Sequence, residues 1–277
     1  MILLQVATAL PAQAFAYTPP AIVSRRALPA PHGAKETALR ISFPSTGRTV
    51  DALLWQPAHV MRRHGAVLFA HWLGDPAKSN PAEFAPDAVA LAQKGITSLS
   101  VQEPWSDAAW FEKLRAPATD YYMSIGIVKD LGAALDVLAA QPQVDAGNIA
   151  FVGHDFGAMF GAVMSGIDPR PQYYVFIAGT ATLREWYALD ERKPADLDAY
   201  AQAMSRLDSG LYLTQAAAQG YLFQFARKDG YIPLDRAFAF FNGAREPRTM
   251  AIYDATHAMQ SKSILADRLA WLLQRLH

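Results

Sequence analysis

The sequence places an acidic residue at the centre of a glycine-flanked turn. Residues 153–157 read Gly153-His154-Asp155-Phe156-Gly157 and directly follow an apolar run at 149–152. A strand, a tight turn and a helix in succession hold the central side chain of the turn above the end of a sheet. The flanking glycines leave room for the crowded backbone. An aspartate at the centre predicts a carboxylate nucleophile, which needs no general base at neutral pH.

Two further residues complete a candidate catalytic set. Asp229 follows a predicted strand at 221–226, and His257 follows the last predicted strand at 249–253. Together with Asp155 they supply a nucleophile, an acid and a base in that order along the chain. The histidine would activate water, and the second aspartate would orient its ring. Asp254, three residues before His257, is the alternative acid.

A carboxylate nucleophile favours one class of substrate. Its attack on an sp3 carbon that carries a leaving group gives an alkyl ester, which water can then hydrolyse. Halides and epoxides are such substrates, whereas attack on an ordinary ester carbonyl gives a mixed anhydride. Two alternatives stay open. Either Asp155 positions a water molecule that His257 deprotonates for attack on an ester or lactone, or the chain is a non-catalytic binding protein.

The elements that must position these residues alternate along the chain. Apolar strand patterns and helical patterns succeed one another, which predicts an α/β fold with a mostly parallel sheet covered by helices on both faces. Predicted helices span 81–94, 121–140 and 263–276, and a polar, helical excursion at about 182–220 is predicted to be a small lid. The predicted strands number eight: 37–43, 49–55, 66–70, 96–101, 148–152, 173–178, 221–226 and 249–253.

Residues 37–277 resemble the α/β-hydrolase superfamily, and most closely its dienelactone hydrolase-like and carboxylesterase-like members. The resemblance rests on three stretches: Val144-Asp145 through the turn at 153–157, Leu222-Phe223-Gln224 leading to Asp229, and Tyr253 leading to His257. It implies the α/β-hydrolase fold with an eight-stranded sheet, a hydrolase that works without cofactor or metal, and a small-molecule substrate. An aspartate at the centre of the turn is typical of the superfamily's dehalogenases and epoxide hydrolases instead.

The resemblance also assigns the groups around the nucleophile. Backbone N–H groups of Phe156 and Leu73 are expected to form the oxyanion hole. Trp72 stands where many members have glycine, so either this loop needs no positive φ or the Leu73 donor is displaced. The predicted pocket residues are His71, Trp72, Glu103, Trp105 and Tyr187.

Composition excludes several classes of protein. The chain has 277 residues, 25 basic and 25 acidic side chains and no cysteine, so it lacks the basic excess of nucleic-acid-binding proteins and cannot form disulfides. With 52% hydrophobic and 18% charged residues it is not disordered. Residues 37–277 are therefore predicted to form a single domain, and nothing in the sequence specifies an oligomeric state.

The N-terminal residues resemble an export signal. No charged side chain occurs before Arg25, and the apolar run that opens the chain is followed by Ala14-Phe15-Ala16, which suits cleavage after Ala16. The run is too short to span a bilayer. We therefore expect residues 1–16 to be a signal peptide, 17–36 to be an N-terminal arm, and the protein to be periplasmic or secreted. The alternative is a cytoplasmic protein.

Overall fold

The computed structural model describes residues 7–29, 37–59, 62–74, 80–107, 109–187 and 192–276. These contain nine strands: β1 Ser24–Ala27, β2 Thr37–Ser45, β3 Arg48–Gln56, β4 His64–Ala70, β5 Thr97–Val101, β6 Val144–His154, β7 Pro171–Ile177, β8 Gly220–Ala226 and β9 Arg248–Tyr253. They form one sheet in the order β1-β2-β3-β5-β4-β6-β7-β8-β9. The strands β4 to β9 pair in parallel, whereas β1, β2 and β3 pair antiparallel and join the rest through β5.

The α-helices connect these strands and cover the sheet. They are α1 Ala85–Ala92, α2 Asp120–Ala139, α3 Phe156–Ser165, α4 Leu183–Tyr187, α5 Leu197–Ser205, α6 Ser209–Leu213, α7 Leu234–Gly243 and α8 Lys262–Leu273. No helix within the described ranges is both long and apolar enough to cross a membrane. The predicted α/β class and mostly parallel sheet are confirmed.

The central strands and α2 form the core, as their apolar sequence patterns predict. Every residue of β8 is buried, as is all of β4 after His64, and continuous apolar runs are typical of strands covered on both faces. On α2 the apolar stripe recurs every three or four residues and is buried throughout, at Ile127, Val128, Leu131, Ala134, Leu135 and Leu138.

The sheet has nine strands rather than the eight predicted. The additional strand, β1, lies within the predicted N-terminal arm and pairs with β2, with Arg25 opposite Ile41. All four of its side chains are exposed, so the stretch carries no apolar alternation that would identify a strand. Backbone hydrogen bonds and one between the Ser24 and Ser42 hydroxyls hold it on β2, and its two arginines are typical of an edge strand that avoids further pairing.

The insertion between β7 and β8 is helical, as predicted. It contains α4, α5 and α6, while residues 188–191 of the predicted lid lie outside the described ranges. The helix α4 supplies Trp186 and Tyr187, both of which are buried.

The segment before β1 packs on the domain. The backbone N–H of Leu10 donates to the Tyr212 hydroxyl at 3.0 Å, and the Phe15 ring meets the Tyr212 ring edge-on at 6.1 Å. Leu10 and Phe15 are only 7% and 4% exposed. Cleavage after Ala16 would remove these contacts; residues 1–6 of the predicted signal peptide and 30–36 of the arm lie outside the described ranges.

Phe15→Ala is expected to destabilise the full-length chain by about 3 kcal/mol, because it removes a buried ring and leaves a cavity against Tyr212. Urea unfolding followed by circular dichroism measures the change. Val23→Ala in the same segment is the control, since Val23 is 64% exposed and its truncation should change stability by less than about 0.5 kcal/mol. Equal stability of the two variants would show that the segment does not pack as described.

Candidate active site

Asp155 lies on a strained turn between β6 and α3. Its φ of 56° and ψ of −116° belong to a region that residues other than glycine rarely occupy. A Cβ atom at position 157 would lie 2.0 Å from the Ala70 carbonyl oxygen, so only glycine fits there. The Asp155 N–H donates to the Ile177 carbonyl at 2.9 Å. The turn is thereby tied to β4 and β7, and its side chain stands at the carboxyl ends of the parallel strands.

The two carboxylate oxygens of Asp155 have different surroundings. Oδ2 accepts a hydrogen bond from the Leu73 N–H at 2.9 Å, and the Phe156 N–H also stabilises the carboxylate. Oδ1 is buried and has no hydrogen-bond partner among the residues that the structure describes. Burial raises the pKa of Asp155 to about 7, although His257 and the two N–H groups act to lower it.

The loop after β4 holds Leu73 in place without a positive φ at Trp72. Positive φ values at residues other than glycine occur at Thr46, Asp155, Ala178 and Met259 in the described ranges. The Leu73 N–H points at the nucleophile turn, so the tryptophan does not displace this donor. The two N–H groups assigned to the oxyanion hole from the resemblance thus both serve the Asp155 carboxylate.

His257 and Asp229 form a hydrogen-bonded pair. The His257 Nδ1–H donates to Asp229 Oδ2 at 2.9 Å, and Asp229 Oδ1 accepts the N–H groups of Tyr231 and Ile232 at 2.9 and 3.0 Å. Burial acts to raise the pKa of Asp229. The hydrogen bond to His257 and the electrostatic interaction with that ring outweigh burial, so the pKa is lowered. Asp254 instead pairs with Lys228 at 2.8 Å and is largely exposed.

The geometry of this pair leaves His257 Nε2 available. In a neutral imidazole whose Nδ1 donates, Nε2 is the unprotonated nitrogen and can accept a proton. Nε2 is buried and has no hydrogen-bond partner in the described part of the chain. The arrangement therefore combines a carboxylate with one free oxygen and an oriented histidine with one free nitrogen.

Comparisons with known proteins identify the architecture. No protein-family model and no curated protein matches the chain. Among solved structures, an acetyl xylan esterase from a Paenibacillus species is similar with a TM-score of 0.72 at 15% identity, over 93% of this chain and 89% of that one. Acetyl xylan esterase 1 from a Thermoanaerobacterium species has a TM-score of 0.72 at 13% identity, over 98% and 95% of the two chains. The chain has the α/β-hydrolase fold.

A third similar structure, a cold-adapted esterase from an Arctic intertidal metagenomic library, has a TM-score of 0.65 at 16% identity, over 92% of this chain and all of that one. Identities this low concern the fold alone. In this α/β-hydrolase fold Asp155, Asp229 and His257 follow β6, β8 and β9, in the order in which the sequence presents them.

Aromatic rings enclose His257. The Trp186 ring of α4 stacks on the imidazole at 5.6 Å, and the Tyr231 ring meets it edge-on at 5.1 Å. Trp72, a predicted pocket residue, lies on another side at 5.8 Å. His257 is consequently only 5% exposed, and a residue of the helical insertion covers it.

The other predicted aromatic pocket residues pack around Phe156 instead. The Trp105 ring stacks on the Phe156 ring at 5.3 Å, and the Tyr187 ring lies at 5.2 Å. The Tyr187 hydroxyl is within 3.2 Å of the Ser124 hydroxyl, and burial raises the pKa of Tyr187 far above its ordinary value. These rings form an apolar wall beside the nucleophile turn.

His71 and Glu103 support the loop after β4. The His71 Nδ1–H donates to the Trp72 carbonyl at 3.0 Å, and Nε2 accepts the Glu103 N–H at 3.2 Å. Burial lowers the pKa of His71 to about 4, so its ring is neutral. The Glu103 carboxylate is turned to Arg48 at 3.3 Å, and burial raises its pKa to about 8. No group of three or more His, Asp or Glu side chains in the described ranges is arranged to hold a metal.

Glu83 belongs to the site but has no signal in the sequence. Its Oε2 accepts the Trp72 N–H at 2.9 Å, and its Oε1 lies 2.6 Å from His154 Nδ1. The residue lies within the predicted helix at 81–94, just before the observed start of α1, and no catalytic motif includes it. Only the return of the chain over the nucleophile turn brings it to Trp72 and His154.

Asp155→Asn is expected to stabilise the protein at pH 8 but not at pH 4. Because the pKa of Asp155 is raised to about 7, the folded state keeps a proton between about pH 4 and 7 that the unfolded state releases. Ionisation of Asp155 therefore lowers the free energy of unfolding as pH rises through that range, and the loss remains at higher pH. Urea unfolding measured from pH 4 to pH 8 should show that the variant gains stability relative to the wild type. The gain should grow with pH to the order of 2 kcal/mol.

The matched control is Asp254→Asn at the surface, where Lys228 lowers the pKa of the carboxyl group. This variant should show no gain at pH 8. A gain for Asp155→Asn that is equal at pH 4 and pH 8 would contradict the raised pKa.

Proposed function

We propose that this chain is a cofactor-independent hydrolase in which Asp155 is the nucleophile, His257 the base and Asp229 the residue that orients His257. The observation that carries the proposal is the difference between the two oxygens of Asp155. One is held by the Leu73 N–H at 2.9 Å, and the other is unpaired among the described residues. A carboxylate held in this way presents a single, defined oxygen to a substrate.

In the first step Oδ1 attacks an electrophilic sp3 carbon. The new C–O bond forms as the bond to the leaving group breaks. A halide departs with the electron pair of that bond, whereas the oxygen of an opened epoxide keeps the pair, stays attached to the substrate and takes up a proton from water. Asp155 becomes an alkyl ester, and its negative charge leaves with the leaving group. Since Asp155 has to be ionised for this step, its pKa near 7 predicts that the rate of alkylation rises with pH up to about that value.

In the second step water hydrolyses the ester. Nε2 of His257 removes a proton from water while the water oxygen attacks Cγ of Asp155. Negative charge then develops on Oδ2, which already accepts the Leu73 N–H, so this stabilisation requires no rearrangement. Collapse of the intermediate returns the proton from Nε2 to the departing alcohol oxygen and leaves Asp155 as a carboxylic acid. Release of the second water proton to solvent then restores the Asp155 carboxylate.

The same contacts argue against direct hydrolysis of an ordinary ester. An ester carbonyl must place its oxygen on the two N–H groups of the oxyanion hole, but Asp155 Oδ2 already accepts the Leu73 N–H, and the Phe156 N–H also stabilises this carboxylate. The similar structures named as esterases therefore share the fold with this chain, while its site favours an alkyl-enzyme ester. The aromatic walls formed by Trp72, Trp186 and Phe156 favour a small to medium apolar halide or epoxide.

His257→Gln is expected to trap the alkyl enzyme. The variant keeps Asp155 able to attack but lacks the base, so the intact protein should gain the mass of the alkyl group when incubated with haloalkane and epoxide panels. In water enriched in oxygen-18, turnover by the wild type should place the label in the peptide that contains Asp155. Label found only in the product would support the alternative in which His257 activates water directly.

Asp155→Ser is the complementary test. The shorter side chain frees the Leu73 and Phe156 N–H groups for an ester carbonyl, so this variant should lose alkylation and gain hydrolysis of p-nitrophenyl acetate. Asp155→Ala is the matched control, because it frees the same groups without supplying a hydroxyl. Absence of any turnover or adduct in the wild type, with no gain in Asp155→Ser, would favour the non-catalytic alternative.

A further inference from the structure

His154 stands at the junction of three segments that form the site. It belongs to the nucleophile turn, directly before Asp155. Its ring lies parallel to the Trp72 indole, with the ring centroids 5.1 Å apart and 5° between the planes. The Trp72 indole also packs closely against the backbone at position 74. A Cβ atom there would lie 2.4 Å from the indole, so Gly74 is required.

Both ring nitrogens of His154 face oxygen atoms. Nε2 lies 3.0 Å from the carbonyl oxygen of His257, and a carbonyl can only accept, so Nε2 carries a proton. Nδ1 lies 2.6 Å from Glu83 Oε1, a distance typical of a charge-assisted hydrogen bond. A Glu83 carboxylate can only accept, so opposite an ionised Glu83 both His154 nitrogens donate and the ring is an imidazolium with Glu83 as its counter-ion.

Glu83 extends the connection to the oxyanion loop. Its second oxygen accepts the Trp72 N–H at 2.9 Å, one residue before the Leu73 N–H that holds Asp155. The pair is almost fully buried, with side chains 9% and 1% exposed for Glu83 and His154. A buried ion pair whose partners satisfy one another fixes the geometry of everything bonded to it.

The charged groups around the pair are themselves compensated. Asp155 shares the turn with His154, and His257 is bonded to Asp229. From α1, Asp87 pairs with Arg268 of α8 at 2.6 Å, and His71 in the loop after β4 is a neutral ring. None of these neighbours takes the place of Glu83 at Nδ1.

We propose that Glu83 and His154 are positioning residues that, as a buried ion pair, hold the oxyanion loop, the nucleophile turn and the His257 loop in register. The inference rests on the proposed function for its effect on catalysis. One hydrogen bond joins the two side chains, and the other two hold the backbone of different segments, at the Trp72 N–H and at the His257 carbonyl.

The ion pair is tested without any substrate. In protein labelled with nitrogen-15 at histidine, the wild type should show both His154 ring nitrogens protonated at pH 7. In Glu83→Gln the amide can donate to Nδ1 and its oxygen can accept from Trp72, so His154 should become neutral with its proton on Nε2 alone. A wild-type His154 with only one protonated nitrogen at pH 7 would overturn the ion pair.

The positioning role is tested by comparing Glu83→Ala with Glu83→Gln. The isosteric variant keeps all three hydrogen bonds, so its kcat on a substrate found in the panel should stay within about threefold of wild type. Truncation releases the Trp72 N–H and His154, and a displacement of the reacting groups by about 1 Å should lower kcat by about 10²-fold with KM within about twofold. The Leu73 amide should also lose its protection from hydrogen exchange in Glu83→Ala alone.

Asp136→Ala is the control for truncating an ion-paired carboxylate. Asp136 pairs with Arg170 at 2.5 Å near the end of α2, at the amino-terminal edge of the parallel strands. It should lower stability and leave kcat and Leu73 protection unchanged. If Glu83→Ala behaves like this control, the positioning role is wrong. If the wild type turns over no substrate, the proposed function fails, while the nitrogen-15 spectra and Leu73 exchange still decide the inference.

Discussion

The hydrogen bond from the Leu73 N–H to Asp155 Oδ2 is the interaction on which the site depends. It joins the loop after β4 to the turn after β6, two segments that meet only because β4 and β6 are adjacent parallel strands. It also distinguishes the two oxygens of the carboxylate, and under the proposed function it determines which one attacks. Without it, Asp155 would be a buried acid on a strained turn with no defined direction.

Placing this carboxylate in the core has an energetic cost that the fold must bear. Asp155 is fully buried, and its raised pKa reports that the environment disfavours the charged form. The strained φ at the same residue adds to this cost. Stability comes from the parallel strands and from α2 and α3, whose buried apolar side chains surround the turn. The site is thus less stable than an apolar core would be at the same place, and the large core around it compensates for this cost.

The α/β-hydrolase fold does not determine the chemistry of the site. The similar structures include proteins named as esterases, and their likeness to this chain concerns the path of the backbone. Here the turn after β6 carries an aspartate whose carboxylate accepts the Leu73 N–H. Under the proposed function this aspartate determines which substrate carbon is favoured and what His257 has to activate.

The sequence was sufficient for features set by local pattern and chain order. The turn around Asp155, the eight apolar strands, the stripe of α2 and the order of Asp155, Asp229 and His257 all follow from periodicity and from which residues succeed a strand. Features set by contacts between distant segments were not predictable in this way. The strand β1 has only exposed side chains, so its pairing with β2 leaves no pattern.

Tertiary structure alone decided the surroundings of the catalytic groups. Glu103 was predicted to line the pocket, but its carboxyl group turns to Arg48, 55 residues away in sequence, because a buried polar group requires a hydrogen-bond partner. Glu83 reaches His154 across 71 residues for the same reason. A motif records the residues that perform chemistry, whereas the partners that orient them are chosen by proximity in the folded chain, which no local pattern encodes.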